Sequence, residues 1–214
     1  MNKVHVLSTI QKQKLVAVIR TDSQEQAIKV ADACIDGGIY TLEFTFSIPN
    51  VEEVIRTMTE KYQDNKQVIV GAGTVLEAYA AREAITAGAA FVVAPSFDQE
   101  TAKLCNFYQV PYMPGCVTVS EIKQAMEAGA DVVKLFPSHT LRPSFVKAVQ
   151  APLPQTNLMP TGGVNLDNLR EWLDAGAVAV GIGGNLVAPA KTGEYDKITA
   201  LARQYVDEVK EVIE

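Results

Sequence analysis

Short runs rich in Val, Ile, Leu and Phe recur along the chain, separated by longer stretches whose apolar residues fall three and four positions apart. The short runs read as strands buried on both faces, the longer stretches as helices with one apolar stripe. Eight runs qualify as strands: 15–20, 39–45, 67–71, 90–94, 110–114, 131–136, 157–161 and 177–182. Between them lie helical segments such as SQEQAIKVADACIDG, where Ala27, Val30, Ala31, Cys34 and Ile35 share a side. One phrase repeats at the joints: DGGIYTLEFTF from Asp36, TAGAAFVVAP from Thr86, EAGADVVKLFP from Glu127 and DAGAVAVGIGG from Asp174. In each, a glycine (Gly38, Gly88, Gly129, Gly176) supplies the left-handed residue that ends a helix, and a strand follows at once. Strand and helix alternating throughout predict parallel strands with helices outside. Eight units without a linker predict a single (β/α)8 TIM barrel domain over residues 1–214, with an extra N-terminal helix. An open doubly wound sheet would need G-x-G-x-x-G after the first strand, where Arg20-Thr21-Asp22-Ser23-Gln24 stands instead.

Side chains alternate along a strand, so one anchor orients the whole run. Tyr40, Leu42, Phe44 and Phe46 form an apolar set that should face the helices, which turns Thr41, Glu43 and Thr45 inward. Val16, Val18 and Arg20 share a face, as do Val132, Lys134 and Phe136. Arg20, Glu43 and Lys134 thus project inward near the C-terminal ends of strands, where barrel active sites lie. Lys134 interrupts the apolar run VVKLFP, a place where a solvated surface has no use for it. A buried ion pair that only fixes strand register is the structural alternative.

Two further turns carry double glycines, TGGVN at 161–165 and GIGGN at 181–185. Glycines let backbone N–H groups approach an anion, and the helix start that follows adds partial positive charge. In barrels the last two βα loops often hold a phosphate. The plain alternative is a pair of tight turns that need left-handed residues.

Composition narrows the function classes. Lys plus Arg is 19 against 25 Asp plus Glu, a net charge of −6, which gives no electrostatic reason to bind nucleic acid or anionic lipid. With 48% apolar and 21% charged residues the chain is composed like an ordinary globular domain. No apolar run approaches the roughly 18 residues of a membrane span, and MNKVHVLSTIQKQK reads as an opening helix rather than a signal peptide. Cys34, Cys105 and Cys116 are far apart and never form C-x-x-C, which suits buried thiols in the reducing cytoplasm. The two histidines, His5 and His139, lack metal-ligand spacing, so no metal and no cofactor are expected. His139 reads as an exposed loop residue and Trp172 as helix packing.

With these residues in hand, the chain resembles the class I aldolases of 2-keto-3-deoxy-6-phosphogluconate (KDPG) and 4-hydroxy-2-oxoglutarate (KHG). The likeness runs nearly the whole length. It is carried by VAVIR (16–20), the strand with Glu43, GAGTV (71–75), AP-S (94–96), MPG (113–115), VKLFP (133–137) and PTGGVN (160–165). The resemblance implies that Lys134 forms a Schiff base and that Glu43 shuttles protons. It implies that Thr74 holds the pyruvyl carboxylate, that Pro95 and Phe136 line the pyruvate pocket, and that Thr161 contacts the substrate chain. Gly162, Gly163, Gly183 and Gly184 would receive the phosphate. The family pattern also implies a homotrimer. This chain departs from it in two places: Ser47 stands where many relatives have a carboxylate-binding Arg, a charge Arg20 can supply, and Gly184 stands where several have Ser. The implied reaction is retro-aldol cleavage of KDPG to pyruvate and glyceraldehyde 3-phosphate. The galactonate epimer and 4-hydroxy-2-oxoglutarate are alternative substrates. A non-covalent sugar-phosphate isomerase and a phosphosugar-binding protein are remoter readings.

Overall fold

A computed structural model of the protein describes residues 2–213. The chain opens with helix α1 (Lys3–Gln13), capped by the Asn2 side chain, which accepts from the Val4 N–H at 2.8 Å. Strands and helices then alternate: β1 (Leu15–Ile19), α2 (Gln24–Asp36), β2 (Thr41–Thr45), α3 (Val51–Lys61), β3 (Ile69–Gly73) and α4 (Ala78–Thr86). Next come β4 (Val92–Val93), α5 (Gln99–Tyr108), β5 (Tyr112–Met113), β6 (Gly115–Cys116) and α6 (Val119–Glu127). The last third holds β7 (Val133–Leu135), α7 (Ser144–Gln150), β8 (Leu158–Pro160), α8 (Leu169–Asp174), β9 (Val180–Ile182), α9 (Gly184–Val187) and α10 (Tyr195–Ile213).

Local chemistry sets these boundaries. Ser23, Glu77, Asp98 and Thr118 each accept a backbone N–H at the start of a helix, and Thr118 with Glu121 makes a reciprocal capping box. At the other ends Gly38, Gly88, Gly129 and Gly176 adopt φ between 90° and 104°, as the repeated phrase predicts.

All strand pairs are parallel. Six strands form a curled sheet in the order β5-β4-β3-β2-β1-β9, and three form a second sheet, β6-β7-β8. This differs from the expected ring of eight unbroken strands in its pairing. The fifth run is divided at Pro114, which has no N–H to give to a ladder, although its carbonyl accepts from the Lys134 N–H at 3.0 Å. At the other edge Thr161 bridges Gly181, and the Val178 N–H donates to the Leu158 carbonyl at 2.9 Å. The third strand begins two residues later than periodicity suggests and runs through Gly71-Ala72-Gly73.

Alternation sorts the core into two layers. Leu42, Phe44, Val133 and Leu135 face the helices and join the larger cluster, with Trp172 of α8 in it. Val16, Ile69, Phe91, Val93, Met113, Val132, Met159 and Ala179 face the other way and pack together, closed from below by Val6 and Ile10 of α1. Burying a side chain of that size contributes about 1.5–3 kcal/mol. Among the described residues no helix is long and apolar enough to cross a membrane.

Candidate active site

Directly beyond the inner apolar layer, at the C-terminal ends of the strands, the inward positions turn polar. Two residues past Val132 comes Lys134, two past Met159 comes Thr161, and Glu43 stands beside Val18 and Gly71 in the β1-β2-β3 register. These side chains open on a cavity of about 250 Å³. Arg20, Glu43, Thr74, Pro95, Lys134, Phe136, Thr161, Gly162, Gly163, Gly183 and Gly184 all line it, so eleven of the twelve residues singled out from the sequence come together. Ser47 does not line it. It is exposed in the turn after β2, and its hydroxyl lies 2.8 Å from that of Thr45.

The centre is a lysine facing a glutamate. Lys134 Nζ lies 3.7 Å from Glu43 Oε1, with the two side chains 6% and 1% exposed. The charges are in contact, but the separation is too long for a hydrogen bond. Among the described residues, neither carboxylate oxygen of Glu43 has a hydrogen-bond partner, nor does the buried hydroxyl of Thr161. A native fold leaves few such atoms buried, and three in one cavity mark groups aimed at a ligand. The Phe136 ring flanks the amine, its centroid 4.9 Å from Nζ.

The rim is built by the loops. Thr74 has φ 57°, a left-handed conformation that is costly for a β-branched residue. It is held there by the Val75 N–H donating to Val93, and the Thr74 hydroxyl accepts from Arg20 Nη2 at 3.2 Å. Arg20 is exposed and brings a positive charge to the mouth. Across the cavity Gly162 and Gly163 adopt φ of 90° and 86°, a turn only glycine makes without strain. Ser138 braces this turn, its hydroxyl donating to the Gly162 carbonyl at 2.7 Å, and Asn168 Nδ2 donates to that of Gly163 at 3.0 Å. The opposite turn leads into α9, which is only one turn long. Any anion there would rest on backbone N–H groups, since so short a helix adds little dipole.

Sequence reasoning passed over Val164 and Asn185, which also line the cavity. Each sits just past a double glycine, and that adjacency was the only signal. No group of three or more His, Cys, Asp or Glu side chains able to hold a metal occurs among the described residues. His139 is exposed and Trp172 buried, both as read from the sequence.

A glycine-lined rim, an exposed arginine, and a buried lysine and glutamate thus face one cavity. Residues 6–201 match the family described as KDPG and KHG aldolase. A 2-dehydro-3-deoxy-phosphogluconate aldolase of Treponema pallidum is 33% identical over 94% of this chain and 96% of its own. A 2-dehydro-3-deoxy-6-phosphogalactonate aldolase of Escherichia coli is 32% identical over 86% of this chain and 89% of its own. The KDPG aldolase of Legionella pneumophila, solved with pyruvate captured at low pH as a covalent carbinolamine intermediate, superposes with a TM-score of 0.84 at 28% identity, covering 92% of this chain and 96% of that one. The chain belongs to the KDPG and KHG aldolase family.

Proposed function

We propose that the protein is a class I aldolase, a lyase that cleaves 2-dehydro-3-deoxy-6-phosphogluconate to pyruvate and glyceraldehyde 3-phosphate through a Schiff base on Lys134. The observation that carries this reading is the buried pair: an amine and an otherwise unpartnered carboxylate 3.7 Å apart inside one cavity.

The reaction breaks a C–C bond next to a ketone and needs somewhere for the electron pair to go. Lys134 Nζ, unprotonated, attacks the C2 carbonyl to give a carbinolamine, and loss of water leaves an iminium. Glu43 then takes the C4 hydroxyl proton. The C3–C4 bond breaks, glyceraldehyde 3-phosphate leaves, and its former bonding pair becomes the C2–C3 double bond of an enamine as the iminium nitrogen is neutralised. Protonation at C3 by Glu43 restores the iminium, and water releases pyruvate and the free amine. Both oxygens of Glu43 lack a competing partner, which suits a group that exchanges protons with several substrate atoms in turn.

The remaining roles follow from position. Thr74, with Arg20 behind it, receives the pyruvyl carboxylate, and Pro95 and Phe136 form the walls around the pyruvyl carbons. The Thr161 hydroxyl binds the substrate chain, while backbone N–H groups of Gly162, Gly163, Gly183 and Gly184 take the phosphate. Ser47 reaches the substrate only if the turn after β2 folds inward when substrate binds. No cofactor or metal takes part. The strand contacts at both sheet edges support one closed (β/α)8 barrel as a single domain over residues 1–214. The family resemblance supports a homotrimer in the cytoplasm, and exposed Leu76, Tyr79 and Phe107 offer apolar surface for self-assembly.

Borohydride in the presence of pyruvate tests the covalent step. A stable adduct is expected on Lys134, and full labelling of a Lys134→Met variant would refute the assignment. The galactonate aldolase and the KHG aldolases perform the same chemistry on related substrates, so kcat/KM measured on the two C4 epimers determines which this chain prefers.

A further inference from the structure

We propose that Gly73 is a positioning residue for the Glu43 carboxylate, and that the bare inner edge of β3 is the device that sets the height of the proton shuttle. This rests on the aldolase reading, but its test fails separately. Glu43 pairs directly with Gly71 across the β2–β3 ladder. Its carboxylate nevertheless does not sit over Gly71. A methyl group there would come within 2.5 Å of three atoms of the Phe91 ring, so the ring already occupies that space. The carboxylate lies one step further toward the cavity, over Gly73. A methyl group on Gly73 would come 2.6 Å from both Cγ and Cδ of Glu43, and closer still to Oε1.

Two absent side chains thus do two jobs. Gly71 admits Phe91, a fully buried ring that forms a floor beneath the glutamate. Gly73 admits the carboxylate itself. No hydrogen bond holds either oxygen of Glu43, so packing on these two glycines and the floor between them, together with the charge of Lys134 at 3.7 Å, fixes the group. A carboxylate held by shape and one neighbouring charge, without hydrogen bonds, keeps both oxygens free for substrate protons while remaining in one place. Hydrogen bonds would fix its position at the expense of its acceptor sites.

The test is Gly73→Ala. The atoms in the way are the end of a side chain, so the fold should survive while the carboxylate is displaced. Displacements near 1 Å cost catalysis about a hundredfold. The expectation is a fall in kcat of about that size, with KM changed less than about threefold and borohydride trapping of pyruvate retained. Glu43→Ala, which has neither Cγ nor Cδ, supplies the control. In that background Gly73→Ala should change the residual kcat by less than about threefold, because no atom of the residue 43 side chain is left at the place the added methyl takes. Full multiplication of the two effects, or an unchanged kcat in Gly73→Ala alone, overturns the proposal. Should Gly73→Ala fold poorly, Phe91→Leu probes the floor from the other side, with kcat expected to fall roughly tenfold at constant KM. A parallel loss in kcat and KM, or no loss, counts against it. A wild-type protein that forms no pyruvate adduct would instead refute the aldolase reading itself.

Discussion

The same strands build two opposite ends of the molecule. At the end facing α1 the inward positions include Val16, Ile69, Phe91, Val93, Met113, Val132, Met159 and Ala179, and the buried polar Thr41 at this end is satisfied, its hydroxyl donating to Gln13 Oε1 at 2.7 Å. Two residues further along, the inward positions are Lys134 and Thr161, with Glu43 beside them, and three buried oxygens among these groups have no protein partner. A buried polar atom without a partner costs about 1–3 kcal/mol. One end therefore holds the fold together, and the other draws on that stability to keep reactive groups unsatisfied. Division of this kind lets loops and rim residues change without rebuilding the core.

The sharpest way to break this contrast is Lys134→Met. It should lower kcat by about 10⁴-fold or more and abolish borohydride trapping. Because it strands the Glu43 charge, it should also destabilise the fold by about 3 kcal/mol in urea titration. Adding Glu43→Gln should recover most of that stability and none of the activity. A double variant no more stable than Lys134→Met alone would mean that the polar end is not the costly one. Glu43→Gln by itself should reduce kcat by about 10²–10⁴-fold while imine formation stays slow but detectable. An unchanged kcat removes Glu43 from the mechanism.

At the apolar end the effects should invert. Ile10→Ala, in the helix that closes the underside, should cost about 2–4 kcal/mol of stability. Its kcat per folded molecule should stay within about twofold of wild type. The smallest effect concerns the thiols. Burial pushes Cys34, Cys105 and Cys116 up from an ordinary 9.0 to about 12, so in the native protein they stay protonated and inert. An aromatic disulfide reagent should label none of them at mildly alkaline pH and all three once urea is added. The folded state holds these protons more tightly than the unfolded one. The resulting stabilisation is complete below 9.0 and is lost as pH rises toward about 12, which alkaline melting curves can follow.

Much of this was legible in the residues because it rests on local rules. The helix-ending glycines at 38, 88, 129 and 176 have the predicted backbone sign, and alternation from Leu42 and Phe44 turned Glu43 inward. Alternation likewise put Lys134 on the face of Val132. The break at Pro114 was within reach, since proline lacks the N–H a ladder needs, but the apolar run around it read as continuous. Gly71 and Gly73 looked like the end of a strand and a loop; they are strand, and their meaning lies in what Phe91 and Glu43 place over them. Such steric complementarity involves residues far apart in sequence and leaves no periodic mark. The position of Ser47 outside the cavity depends on the path of a turn, which no spacing rule fixes.

The seating of α1 has a consequence for how the chain is made. Val6 and Ile10 leave the ribosome well before their partners, which extend to Met159 and Ala179. The helix α1 must therefore wait, Val6 and Ile10 uncovered, until the chain has been made through Ala179. That makes its docking a late, long-range step in assembly.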